Sequence, residues 1–159
     1  MRFLKNKGLW AVVSAVIVVV IIILLLLRGC APTILDADSY TTEVTSLIDK
    51  NKSGQDKWNF VLGDTDFVDL CTEPYAAEFD AIGQQFIDRA DEFDALRVNG
   101  DPRSIVANYD QYVQYFSTYR SIGEELKTFA NSVRSGDYQA ALAALEQLEL
   151  LNKQLPVIE

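Results

Sequence analysis

IVANYDQYVQYFSTYRSIGEELKTFANSV, residues 105–133, is the stretch on which the fold turns. Ile105, Tyr109, Tyr112, Phe116, Tyr119, Gly123, Leu126, Ala130 and Val133 recur at alternating spacings of four and three, the heptad of a packed helix. Val106, Val113, Tyr115, Ile122 and Phe129 widen the seam on both sides. A stripe this broad needs neighbours on more than one flank, so the spacing predicts a central bundle helix and not one arm of a two-stranded coil. Asp101-Pro102 opens it with a side-chain cap and a first-turn proline, and Ser135-Gly136 closes it.

Working outward, Asp137 caps a fourth helix whose Tyr138, Ala141, Leu142, Leu145, Leu148 and Leu151 are expected to face inward before Pro156. On the other side, Tyr75, Phe79, Ile82, Phe86, Phe93 and Leu96 define a second helix over about residues 73–98, opened by Pro74 and stopped at Asn99-Gly100. Tyr40, Val44, Leu47 and Ile48 give a first helix over about 36–51, which Lys52-Ser53-Gly54-Gln55-Asp56 is expected to break. The patch Trp58, Phe60, Val61 and Leu62 suits a turn or two of helix, and no strand pattern is found. The fold class is therefore all-α, an up-down bundle of about four helices over residues 36–159.

Ahead of the bundle the composition changes. Leu9 to Leu27 is nineteen residues with Ser14 the only polar one, and as a helix it spans roughly 28 Å, the thickness of a bilayer's hydrocarbon core. Arg2, Lys5 and Lys7 precede it and only Arg28 follows before Asp36 and Asp38, so the positive-inside rule puts residues 1–8 in the cytoplasm. Residues 9–27 then form a transmembrane helix or long signal and 28–35 a linker, with the bundle on the far side of the membrane.

Leu27-Arg28-Gly29-Cys30 resembles the lipobox of bacterial lipoproteins, in which the cysteine is lipidated and becomes the mature N-terminus. The resemblance covers four residues and departs from the family pattern at Arg28, where an uncharged residue is usual. It implies lipidation at Cys30; the length of the apolar run favours an uncleaved helix instead, and both routes leave the domain tethered to membrane lipid. Cys71 sits in the apolar context Phe67-Val68-Asp69-Leu70 and reads as a small buried thiol, with a Cys30–Cys71 disulfide as the alternative in an oxidising compartment.

The chemistry-bearing patterns are few, because the chain has no histidine. That removes the usual base for a cysteine nucleophile and the Glu-x-x-His pairs of di-iron bundles. Asp49-Lys50-Asn51-Lys52-Ser53-Gly54 resembles the first half of an EF-hand loop, but its eighth position is Asp56 and its twelfth Phe60, so it reads as a helix-ending turn. Asn51-Lys52-Ser53 is a formal glycosylation acceptor. Gly136-Asp137-Tyr138 with Ala141-Leu142 resembles one tetratricopeptide corner, and a single copy reads as a generic turn. The acids Asp88, Asp91, Glu92, Asp94, Glu124 and Glu125 read as solvated helix faces. No metal, cofactor or enzymatic activity is expected.

Two features point to binding. Tyr109, Tyr112, Tyr115, Phe116 and Tyr119 crowd three turns of one helix, which suits core packing or a partner or ligand face. Arg89 falls at an inward position of the second helix, opposite Asp110 and Tyr109 in an antiparallel hairpin, so an Arg89–Asp110 ion pair or a cation–π contact is expected. Beyond residue 30 the chain carries ten basic against 23 acidic residues, which argues against nucleic acid. The expected function is a membrane-tethered extracytoplasmic interaction protein, an accessory or scaffold subunit with a protein partner in the cell envelope. The alternative is a helical module that binds a small ligand or a cation.

Overall fold

A computed structural model describes residues 33–158. The apolar run 9–27 and Cys30 lie outside them, and among the described residues no helix is long and apolar enough to cross a membrane. The elements are β1 (Ile34–Leu35), α1 (Ala37–Asp64), the single turn α2 (Phe67–Leu70), α3 (Glu73–Ala95), β2 (Arg97–Val98), the single turn α4 (Pro102–Ile105), α5 (Tyr109–Ser135) and α6 (Tyr138–Gln154). Four long helices make the bundle. The expectation of no strand is corrected by a parallel two-residue pair, Ile34 with Arg97 and Leu35 with Val98.

Asp36 caps α1 by accepting the Ser39 N–H at 2.7 Å. The helix does not end at residue 51: it continues through Lys52-Ser53-Gly54 for 28 residues in all, so the turn read from the EF-hand resemblance is also corrected. The reason lies in its buried face, Tyr40, Val44, Leu47, Asn51, Gly54 and Trp58, a heptad in which a polar and a glycine residue occupy two inward places. Gly54 lets the Phe86 ring of α3 lie against the α1 backbone; a Cβ there would stand 2.7 Å from Phe86 Cε1.

The inward face of α3 is Ala76, Phe79, Ile82, Gly83, Phe86, Ala90 and Phe93. Ala90, not Arg89, takes the place between Phe86 and Phe93. The helix ends at Ala95, short of the expected 98, because Leu96 turns extended to carry β2. The helix expected to start at Asp101-Pro102 is broken. Asp101 caps α4 through the Arg103 N–H, α4 stops after one turn, and Asn108 adopts φ 61° before α5 begins. Ile105 is therefore cut off from the seam and exposed, as is Val113 on its flank, whereas Tyr112 to Val133 bury as the heptad predicts.

At its far end α5 closes with Gly136 at φ 75°: the Gly136 N–H donates to Val133 O and the Asp137 N–H to Ser132 O, the paired bonds of a Schellman cap. Asp137 then caps α6 through the Ala140 N–H at 3.0 Å. The inward face of α6 is Ala141, Ala144, Leu148 and Leu151 with Leu145 half-buried; Tyr138 and Leu142, expected inside, face out.

Side-chain partners fix the directions. Tyr40 meets Phe93, and Gly54 meets Phe86, so α1 and α3 run antiparallel. Phe79 meets Phe129 and Phe93 stacks on Phe116, so α3 and α5 do too. At the crossing of α3 and α5, Gly83 and Gly123 face each other; a Cβ on either would come within 2.6 Å or 2.5 Å of the other's carbonyl oxygen. Gln55 of α1 donates to Asn152 of α6, which places α6 beside α1 as the fourth member.

Candidate functional site

The tyrosine-rich stretch of α5 does form a cluster, and it lies inside the bundle. Tyr112, Tyr115, Phe116 and Tyr119 are buried, with Tyr119 and Phe116 at 1% exposure, and Tyr109 is half-buried. Their rings run in a continuous chain. Tyr40 sits 6.3 Å from Tyr109, Tyr109 6.4 Å from Phe93, and Phe93 stacks 4.4 Å from Phe116. Phe116 meets Tyr115 edge-on at 5.2 Å, Tyr115 lies 4.6 Å from Tyr119, and Tyr119 meets Phe86 edge-on at 4.9 Å. Offset and edge-to-face pairs at these spacings add to what their burial contributes.

One hydroxyl of the cluster, that of Tyr119, is placed by α1. Tyr119 Oη donates to Gln55 Oε1 at 2.7 Å, and Gln55 Nε2 donates onward to Asn152 Oδ1 at 3.0 Å, so one relay ties α5, α1 and α6 together. Burial pushes the Tyr119 hydroxyl far above the ordinary tyrosine value and raises Tyr115 as well. Desolvation likewise pushes Tyr40 up to about 12.

Arg89 bonds to α1 and to its own helix, and not in the pair expected for it. Its Nη1 donates to the Lys50 carbonyl at 2.8 Å and to Asn51 Oδ1 at 3.3 Å, and its Nη2 to Gln85 Oε1 at 3.1 Å. Asp110 instead accepts from Arg103 Nε at 3.0 Å, in a pair that is largely exposed on both sides. The correction follows from the α3 register: with Ala90 in the seam, Arg89 flanks it on the α1 side, away from Asp110 at the start of α5. Asn51 is wholly buried in that contact, so its carboxamide is not presented as a glycosylation acceptor. Asn51 Nδ2 and Trp58 Nε1 are buried without a hydrogen-bond partner among the described residues.

Beside the cluster, where α6 ends and the chain continues extended, lies a half-open groove of about 460 Å³. Thr45, Ile48, Asp49, Lys52 and Gln55 of α1 line one wall, Tyr112 and Tyr115 of α5 the other, and Pro156 and Ile158 the rim. Asp49 and Lys52 bring opposite charges to it. The sequence pointed to the α5 wall; it placed Thr45, Ile48 and Asp49 on the first helix without assigning them to a site, and it ended that helix before Lys52 and Gln55.

On the surface, Arg120 bridges Asp91 and Asp94 at 2.5 and 2.8 Å, and Arg134 bridges Glu73 and Asp80 at 3.2 and 3.0 Å. Both fasten α5 to α3. Hydrogen bonding from Arg134 holds the Asp80 carboxyl below its ordinary range. Cys71 is half-buried against the core, and burial pushes its thiol up. Its pairing with Cys30 lies outside the described residues, as does lipidation of Cys30. No protein-family model, no curated protein and no solved structure matches this chain.

Proposed function

We propose that this protein is a membrane-tethered interaction module without catalytic activity, an accessory or scaffold subunit of a cell-envelope complex whose bundle lies outside the cytoplasm. The observation that carries this reading is the fate of the aromatic cluster. Tyr115, Phe116 and Tyr119 pack on one another and on Phe93 and Phe86 of α3, and Tyr119 donates its hydroxyl to Gln55, so most of the cluster is committed to packing. Recognition is then left to the surface. The tether is the apolar run 9–27 with Arg2, Lys5 and Lys7 on its cytoplasmic side, spanning the bilayer as an uncleaved helix; acylation of Cys30 is the competing form of the same anchor.

Three measurements on the full chain test the reading. The chain is expected in the membrane pellet after alkaline carbonate extraction, with an intact mass equal to the whole sequence. A species beginning at Cys30 with added acyl mass replaces the helix by the lipid anchor, and a fully soluble chain overturns the tether. Mild solubilisation and gel filtration are expected to give a complex with a second protein at fixed stoichiometry, not a bare monomer.

The second reading, a small-ligand or cation-binding module, is favoured by the groove between α1 and α5, where Asp49 stands beside the Tyr112 and Tyr115 rings. It predicts a bound compound released on denaturing the purified chain, and loss of that compound in Asp49→Asn.

A further inference from the structure

We infer that the groove between α1 and α5 binds a zwitterion, an α-amino acid with an apolar side chain, its ammonium held by Asp49 and its carboxylate by Lys52. This rests on the second reading above, the small-ligand module, and names the ligand class of that site.

The groove exists because α6 stops short of the helix it packs against. Tyr119 of α5, Gln55 of α1 and Asn152 of α6 lie at one level, joined by the hydroxyl relay, and α6 ends two residues later at Gln154. Tyr115 and Tyr112, one and two turns nearer the start of α5, therefore lie beyond its end. Extended chain takes the fourth corner there. Leu155 and Ile158 pack against the core, and Val157, 82% exposed, turns away. A helix with its side chains is about 10–12 Å across, and extended chain is thinner, so the corner is only part-filled. The space left is about 460 Å³, lined by Tyr112 and Tyr115 opposite Ile48, with Ile158 at the rim. That lies toward the lower end of ligand pockets, roughly 300–1,000 Å³, and suits a small molecule.

The charges on its α1 wall select the ligand. Asp49 and Lys52 stand about one turn apart, so they are neighbours on the helix surface, and both line the groove. Neither forms an ion pair among the described residues, although Arg103, Arg120, Lys127, Arg134 and Lys153 all do. Burial raises the Tyr115 hydroxyl and the Asp49 charge adds to it, so the carboxylate acts from the side of that ring. A bare cation would meet Lys52. A bare anion would meet Asp49, and beyond it the field of a chain with ten basic against 23 acidic residues after position 30. A molecule that carries both charges on neighbouring atoms satisfies both side chains at once. Tyr112, Tyr115 and Ile48 then give its side chain an apolar wall.

The test is calorimetric titration of the full chain in dodecyl maltoside micelles with three compounds: L-phenylalanine, N-acetyl-L-phenylalanine, which lacks the ammonium, and L-phenylalanine amide, which lacks the carboxylate. L-phenylalanine is expected to bind at least about tenfold more tightly than either, the scale of one hydrogen bond to a charged group. Asp49→Asn is expected to weaken it about tenfold and bring it level with the N-acetyl compound, and Lys52→Gln to bring it level with the amide. Both positions are exposed on α1, so neither change removes a core contact. Lys57→Gln, exposed on α1 but outside the groove, is expected to leave affinity within about twofold. An amide that binds the parent as tightly as the amino acid does overturns the zwitterion and leaves a cation site; an N-acetyl compound that does so overturns it as well. Binding of none of the three also overturns it, and the small-ligand reading then stands only if denaturing the purified chain releases another compound. O-phosphoethanolamine bound as tightly as L-phenylalanine would make the ligand a lipid headgroup and overturn the amino acid.

Discussion

Arg89 shows how one residue's register decides which bonds it makes. Three acceptors hold its guanidinium, two of them the Lys50 carbonyl and the wholly buried Asn51. Arg89→Leu leaves the buried Asn51 oxygen without its donor, while the Lys50 carbonyl keeps its partner within α1; Asn51 already has an unpaired Nδ2, so the variant is expected to lose about 1–3 kcal/mol, the cost of stranding a buried polar group. Asp110→Leu removes an exposed pair with Arg103 and is expected to leave the unfolding midpoint unchanged. Chemical denaturation of the two variants decides it, and a double variant Arg89→Leu, Asn51→Leu should recover part of the loss, because replacing both partners is gentler than orphaning one. Equal costs for Arg89→Leu and Asp110→Leu would restore the pairing that the sequence suggested.

Among the elements, the crossing of α3 and α5 is set by backbone and not by side chains. Gly83 and Gly123 each place a carbonyl oxygen where the other's Cβ would be, and a backbone cannot swing aside as a flexible side chain can. Gly83→Ala and Gly123→Ala are each expected to destabilise by at least about 1–3 kcal/mol, the overpacking cost, despite alanine's better helix propensity. Gly63→Ala, near the end of α1 with nothing within 4 Å of its Cβ, is expected to stabilise by up to about 1 kcal/mol, and thermal melts of the three variants test the contrast. Gly123 was visible in the α5 heptad, and α3, α5 from Tyr112, and α6 were legible because their seams are apolar. The second half of α1 was not: Asn51 and Gly54 sit at correct heptad positions between Leu47 and Trp58, but they read as a turn until Arg89 and the Phe86 ring are seen to claim them. The same limit hid Ala90, whose small side chain gave way in the reading to its larger neighbour Arg89. The break at Asn108 and the β1–β2 pair depend on contacts distant in sequence, for which a local pattern carries little signal.

For the molecule as a whole, the buried tyrosines set an alkaline limit on stability. In the folded chain Tyr40 keeps its proton up to about 12 because burial penalises the phenolate, whereas an exposed tyrosine in the unfolded chain ionises near 10. Tyr115 and Tyr119 are shifted in the same direction by the same cause. Below pH 10 both states hold these protons and the contribution is intact. Above it the unfolded state binds fewer protons than the folded state, so unfolding becomes more favourable with each further step in pH. At the acid end the sign reverses. Asp80, held low by hydrogen bonding from Arg134, contributes stability above the ordinary aspartate range and loses it as pH falls through its folded value. Denaturant unfolding of residues 33–159 is therefore expected to show a stability plateau through neutral pH and a decline between pH 10 and 12. The part of the tyrosinate absorbance that Tyr40→Phe removes should rise with unfolding and not ahead of it. Tyr40→Phe removes one titrating hydroxyl while keeping the ring against Phe93 and Tyr109, so it should make the alkaline decline shallower without moving the neutral plateau by much. A decline of unchanged slope in Tyr40→Phe, or a native-state tyrosinate signal near pH 10 that this substitution removes, would place the aromatic chain in contact with solvent and reopen α5 as a binding face.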